Sequence, residues 1–259
     1  MKALNKMIEI KGLKKRFGSK EVLKGIDLNI PKGKTTVILG LSGGGKSTII
    51  KHIVGLLKPD SGEIWIDGEE ISKADENQIR RIRKKVGFLF QSGALFDSMN
   101  IYENIAFPLR EHSDMNENEI KSRVTERLEM VGLKPSEVLN LYPDELSGGM
   151  RKRVGLARTI VLDPEIILYD EPTSGLDPIT SDLISQMIVN LKERLGVTSI
   201  LISHDIKESF KVGDYFAMLY DGKIIETGDA DHFKYADNPF VRQFLDGKSE
   251  GPIQFQENS

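Results

Sequence analysis

The sequence predicts an α/β fold, with strands and turns ahead of an α/β core and a mostly helical insert inside it. Three observations carry this. Short β-branched or apolar runs recur at residues 35–39, 166–169, 198–203 and 215–220. Helical stretches separate them, and one such run feeds directly through a glycine-rich stretch into a helix, the opening of an α/β unit. Between about residues 93 and 158 the pattern is helical, with no strand signal.

Taken in chain order, residues 7–13 alternate as a strand, and Val22, Leu23, Ile26, Leu28 and Ile30 repeat that spacing. Pro31–Lys34 form a turn, residues 35–39 a strand, and a helix runs from Lys46 to about Leu57. Strands follow at 63–66 and 86–90, separated by a charged, solvated helix over 75–85. From Asn100 to about Leu162 the chain is helical, broken at Pro135 and Pro143. A helix at 178–195 lies between the strands at 166–169 and 198–203, and residues 240–245 read as a short apolar helix in the tail.

Composition removes several classes of function. A chain of 259 residues can bury one sizeable core with room for an inserted subdomain. It has no cysteine, hence no disulfide scaffold and no thiolate metal site, in keeping with a reducing compartment. A formal net charge of -3 argues against a broadly basic nucleic-acid surface. No apolar run reaches the 18 or so residues of a membrane span, and the first twelve residues lack a signal-peptide core. The expectation is a soluble protein whose membrane work, if any, is done through a partner.

Gly40-Leu41-Ser42-Gly43-Gly44-Gly45-Lys46-Ser47-Thr48 fits G-x-x-x-x-G-K-[ST]. A loop wrapping a polyphosphate must aim several backbone N–H groups inward, and glycine allows that approach. The helix beginning at Lys46 adds the positive end of its dipole. In this setting Lys46 reaches the β- and γ-phosphates, Ser47 supplies an oxygen to Mg²⁺, and Thr48 supports the α-phosphate. A plain flexible turn is the alternative, but the strand before and the helix after are what the motif requires.

The apolar run 166–169 ends in Asp170-Glu171. Asp170 can hold Mg²⁺ directly or through water, and Glu171 can polarise an attacking water as general base. A buried strand surfacing in an acidic turn would look similar, but the phosphate loop upstream favours catalysis. Of four histidines, His204 follows the strand at 198–203, where a ligand crevice is expected. It can contact the γ-phosphate. His52, His112 and His232 have no such context and are read as structural or exposed.

Leu146-Ser147-Gly148-Gly149-Met150, followed by Arg151-Lys152-Arg153-Val154, resembles the signature of ATP-binding-cassette (ABC) ATPases, usually LSGGQ. Physically it is a second glycine-rich helix start and a second anion-binding end. The resemblance implies a P-loop NTPase (RecA-like) core with an N-terminal antiparallel β subdomain and the α-helical subdomain inserted at about 93–158. It also implies a head-to-tail dimer in which Ser147, Gly148 and Gly149 of one copy close over ATP held by the other. Phe17 matches the adenine-stacking aromatic, though tyrosine is commoner, and Gln91 the glutamine that senses Mg²⁺ and the coupling partner. Asp177, in Ser174-Gly175-Leu176-Asp177, matches the loop that crosses the dimer interface, and His204 the switch histidine. The likeness spans about residues 7–235, an ABC ATPase domain, and leaves 236–259 as a tail. Met150 departs from the usual glutamine and removes a polar contact near the opposite ribose. Tyr169 stands where an aliphatic residue is common, a matter of packing.

Within the family, "FQSGALFDSMN", "PLREH", "ELSGGMRKRVGLAR" and "GLDPIT" resemble the ATPases of MCE-type lipid transporters, the branch that includes the Mla phospholipid-asymmetry system. That likeness implies a homodimer on the cytoplasmic face of the inner membrane, beneath a permease, with an MCE-domain substrate-binding protein beyond. It further implies, in some members, a small regulatory subunit on the helical insert and a tail reaching the other ATPase subunit. The apolar stretch 89–100 reads either as a docking surface or as ordinary packing of the insert. An importer ATPase for a small polar solute shares the core motifs. A non-transport ABC ATPase acting on nucleic acid or ribosomes usually has two cassettes or basic extensions, which this chain lacks. A solitary P-loop kinase or GTPase leaves 146–150 unexplained.

Overall fold

The computed structural model describes residues 5–254. The chain opens with a hairpin, β1 (Lys6–Phe17) and β2 (Lys20–Pro31), whose alternate residues Ile8, Ile10, Leu23, Ile26, Leu28 and Ile30 are buried. It then runs through β3 (Thr35–Leu39), α1 (Lys46–Ile53), β4 (Ser61–Ile66), β5 (Glu69–Glu70), α2 (Glu76–Lys85) and β6 (Val86–Leu89). Five helical segments follow: α3 (Ile101–His112), α4 (Glu117–Met130), α5 (Pro135–Val138), a single 3₁₀ turn at Pro143–Glu145, and α6 (Gly148–Thr159). The chain returns with β7 (Ile166–Asp170), α7 (Pro178–Leu195), β8 (Thr198–Ile202), α8 (Ile206–Val212), β9 (Tyr215–Tyr220) and β10 (Lys223–Asp229), then α9 (Ala230–Lys234) and α10 (Pro239–Asp246).

Two sheets result. The first is antiparallel, in order β2-β1-β4-β5. The second has six strands in order β10-β9-β3-β8-β7-β6, parallel except for β10 at one edge. Its central strands β3, β7, β8 and β9 are buried on both faces, as parallel strands covered on two sides must be. Ile38, Ile166, Leu168, Ile200, Ile202, Ala217 and Leu219 face the antiparallel sheet and α1. Val37, Leu39, Ile167, Tyr169, Leu201, Phe216 and Met218 face the helices of the other layer. One residue of register shift in any strand would exchange these sets.

The mixed α/β class, the antiparallel β subdomain and the helical subdomain agree with expectation, with differences in detail. Helix α1 stops at Ile53, not near Leu57, because a glycine-assisted turn at Val54 and Gly55 ends it. β5 and β10 were not anticipated. Lys223–Asp229 is a largely polar, half-exposed edge strand, and its pairing with β9 supplies what its composition does not signal. Tyr169 is fully buried and is a packing residue, as expected. The first four residues and residues 255–259 of the tail lie outside the described residues.

Candidate active site

Every parallel strand of the second sheet delivers its C-terminal end to the same edge, and the central strand β3 delivers the phosphate loop. Two glycines of that loop are obligatory. Gly40 has φ 149°, and a Cβ there would stand 2.4 Å from the Leu219 carbonyl oxygen of β9. Gly45 has φ 101°, and its Cβ would meet Val22 at 2.9 Å. The loop is thus pressed between β9 and the β1–β2 hairpin. Gly44 N donates to Leu41 O at 3.1 Å, closing the turn before α1.

Lys46 is buried, and its ammonium donates to the carbonyls of Gly40 (2.8 Å) and Leu41 (2.9 Å). Burial lowers its pKa, opposed by the negative charges of Glu171 and Asp170. Ser47 Oγ donates to Asp170 Oδ1 at 2.9 Å, joining the start of α1 to the end of β7. Burial raises the Asp170 pKa, against the Ser47 hydrogen bond, and the Glu171 charge pushes the same way as burial. A hydroxyl beside a half-buried carboxylate is a hard-oxygen donor set that suits Mg²⁺.

Glu171 follows Asp170 at φ 49°, a left-handed conformation rare for a side chain of this size. Its N–H donates to Ile202 O of β8 (3.0 Å), and its carbonyl accepts from Ser174 N (3.2 Å), so the turn is held at both ends. That turn aims the carboxylate between two groups. Gln91 Nε2 donates to Glu171 Oε2 at 3.1 Å, and His204 Nδ1 lies 3.4 Å from Oε1. Gln91, Glu171 and His204 follow β6, β7 and β8, three adjacent strands.

Two further residues belong to this cluster. Gln91 also donates to Ser174 Oγ at 3.2 Å. Lys152 of α6, buried to 5% exposure, donates to the backbone carbonyls of Gln91 and of Glu171, the latter at 3.3 Å. Sequence reasoning missed both. The signal for Lys152 was its place on the buried face of α6, with Gly155 and Leu156 one turn on.

The remaining expected residues are distributed around this centre. Phe17, at the end of β1, is 48% exposed, with Lys15 Nζ 5.8 Å from its ring centroid. Ser42, Gly43 and Thr48 stay with the loop and α1. Ser147 caps α6, accepting from Met150 N at 3.3 Å, and Ser147 and Gly148 are exposed. Gly149 packs so closely on α7 that a Cβ would meet Thr180 Cγ2 at 2.6 Å. Met150 is half-buried against the helical-side core. Asp177 caps α7, accepting from Ile179 N and Thr180 N at 3.0 Å each. Among the described residues no hydrogen bond joins 146–150 to the phosphate loop of the same chain. The default reading of the other histidines holds for His52, which is buried with Nδ1 2.7 Å from Thr48 O.

One chain therefore carries a complete phosphate loop with its carboxylates and, apart from it, an exposed glycine-rich helix start. The family model described as ABC transporter matches residues 23–174, spanning the phosphate loop, the signature-like segment and Glu171. The chain belongs to the ABC transporter family. This cassette is similar over 250 residues to the intermembrane phospholipid transport system ATP-binding protein MlaF of Haemophilus influenzae, with 42% identity covering 96% of this chain and 94% of the relative. The same protein of Escherichia coli K12 is 41% identical, with 92% of it covered. The probable ribonucleotide transport ATP-binding protein mkl of Mycobacterium leprae is 46% identical, with 72% of its length covered. Among solved structures, the dimeric bacterial ABC transporter cassette MJ0796 superposes with TM-score 0.80 at 35% identity, covering 86% of this cassette and 99% of that chain. A post-hydrolysis form of it bound to ADP and Pi superposes equally well, at 34% identity. No helix of the described residues is long and apolar enough to cross a membrane.

Proposed function

We propose that this cassette hydrolyses ATP as one half of a two-copy motor and powers phospholipid transport between membranes. The observation that carries hydrolysis is the setting of Glu171, which accepts from Gln91 Nε2 on one oxygen and has His204 Nδ1 3.4 Å from the other, one residue beyond Asp170 and its Ser47 partner. The N–H groups of Gly43 to Thr48 and the Lys46 ammonium receive the phosphates, and Phe17 offers an exposed face to the base. Ser47 and Asp170 would hold Mg²⁺, whose charge would offset that of the phosphates when bound. Glu171 accepts the proton of the attacking water, while Gln91 holds its carboxylate and His204, beside its other oxygen, reports the γ-phosphate. Ser147, Gly148 and Gly149 serve the partner copy's nucleotide, and Asp177 lies at the dimer interface. The cassette domain on this reading is residues 7–235, with the helical subdomain at about 93–158.

The dimer reading is supported by the exposed signature helix start and by the likeness to a dimeric cassette. The lipid reading rests on 41–42% identity over nearly the whole length of two phospholipid-transport relatives. A docking role for residues 89–100 draws support from Phe96 and Phe107, which stack edge-on at 5.2 Å yet stay 43% and 37% exposed. On this reading the cassette sits on the cytoplasmic face of the inner membrane, with a permease, an MCE-domain protein and, as in some members of that branch, a small regulatory subunit. The mkl relative, named for ribonucleotide transport, favours a second reading, a transporter of a polar solute.

Two experiments test these readings. Glu171→Gln is expected to lower kcat by at least about a hundredfold while ATP still binds, and full turnover would remove the catalytic assignment. Purification of the native complex should bring down a permease with an MCE-domain protein. Recovery of a periplasmic solute-binding protein in its place would establish the polar-solute alternative.

A further inference from the structure

A buried lysine is costly unless its charge is answered, and Lys152 is answered by two backbone carbonyls at the centre of the site. Its partners are neither random nor local. Gln91 O lies in the loop after β6 and Glu171 O in the turn after β7, and Lys152 sits on the first turns of α6, which Ser147 caps. These same two residues meet through their side chains, Gln91 Nε2 on Glu171 Oε2 at 3.1 Å. One ammonium thus ties together the backbones of the donor and the acceptor of that contact. Asp170 and Glu171 both lie within the electrostatic reach of Lys46 and of Lys152, though burial is the larger influence on both lysines.

The rest of α6 holds the same loop from its far side. Arg158 donates to the carbonyls of Gly93 (3.0 Å) and Ala94 (2.8 Å), and Gly155 packs where a Cβ would lie 3.2 Å from Gly93 Cα. Those contacts reach only the Gln91 loop. Lys152 alone among the described residues of α6 also reaches Glu171.

We propose that Lys152 is a positioning residue for hydrolysis, clamping the backbones of Gln91 and Glu171 to the helix headed by the signature segment and thereby setting the Gln91–Glu171 contact. The inference rests on the proposed role of Glu171 as general base. Its consequence is mechanical. A displacement of α6, whose first residues face the partner copy's nucleotide, is passed to the turn that carries the base over a single side chain.

The test compares the full-length protein with Lys152→Met, Lys152→Arg, Gln91→Ala and the Lys152→Met/Gln91→Ala double variant, reading kcat, the Kd for ATP and Tm. Removal of the clamp is expected to lower kcat roughly tenfold to a hundredfold, since a misplacement near 1 Å can cost that much. The Kd for ATP should stay within about twofold. Arginine, which keeps the charge and donors, should restore most of kcat. The double variant should be no slower than the slower single variant, because both act through one contact. Should the methionine variant fail to fold, Lys152→Gln carries the same comparison. Unchanged kcat, a loss that follows Kd and Tm together, or additive losses in the double variant would each overturn the proposal. A wild type that hydrolyses no ATP would instead overturn the ATPase reading beneath it.

Discussion

At the scale of single residues, the site stores cost where chemistry is placed. Glu171 occupies a left-handed conformation worth roughly 1–2 kcal/mol of strain for a residue with a Cβ. Glycine would relieve that strain but loosen the unfolded chain by about 0.5–1 kcal/mol and forfeit the Gln91 and His204 contacts. Glu171→Gly should therefore melt within about 1 kcal/mol of the wild type while turning over no ATP, a separation that calorimetry and a phosphate-release assay would reveal. Asp170 pays differently. Its raised pKa means that the folded chain without ligand disfavours the ionised carboxylate. The unfolded Asp ionises near pH 3.9, so this penalty is absent below that value and grows as the pH rises. Asp170→Asn keeps an oxygen for Ser47. It should melt higher than the wild type at neutral pH in the absence of nucleotide and magnesium, with the gap closing as the pH approaches 3.9. A gap independent of pH would show that charge is not its source.

At the scale of elements, α3 buries Ile101, Ile105, Ala106 and Leu109 in the core, and one polar side chain fixes the loop that leads into it. Asn104 is fully buried and saturates its amide, accepting from Phe96 N at 2.8 Å and donating to the carbonyls of Phe96, Met99 and Asn100. It closes residues 96–100 into a loop over the first turn of α3, whose capping box is formed by Asn100 and Glu103. That clasp explains how an apolar loop keeps Phe96 and Phe107 partly in solvent without collapsing onto the core. Asn104→Ala leaves those groups unpaired and should cost about 1–3 kcal/mol, read as a lower urea midpoint at unchanged m-value. An unchanged midpoint would mean that water replaces the amide.

On the proposed two-copy reading, the molecule presents half of two sites. The phosphate loop lies on one part of the sheet edge, and the exposed start of α6 lies apart from it with room to spare. A Cβ on Gly148 would make only ordinary contact, 3.5 Å from Leu176. Gly148→Asp should accordingly leave Tm unchanged. It places a negative charge where a partner's phosphate is expected, against the favourable helix dipole. In a Glu171→Gln background, ATP should drive dimers that sedimentation resolves, and Gly148→Asp should abolish them while each chain still binds ATP. Persistence of the dimers would place the interface elsewhere.

What could be read from the sequence was whatever the chain stores locally. Gly40 to Thr48, Asp170-Glu171 and Ser147-Gly148-Gly149 are contiguous, so their spacing alone specifies a strand end, a loop and a helix start. The period of two in the strands likewise marked the core, and the charged face of 75–85 marked α2. The polar edge strand β10 escaped because its place depends on β9, not on its own residues. The same holds in the site. Ser47 meets Asp170 across 123 positions and Gln91 meets Glu171 across 80, while Lys152 reaches Gln91 across 61. Those pairings follow from the strand order β3-β8-β7-β6 and from α6 lying against the sheet, which no local pattern encodes. The sequence by itself therefore determined the chemical groups and their local frames. Tertiary structure alone decided which of them touch, because contact between distant segments is set by how both faces of one sheet are buried.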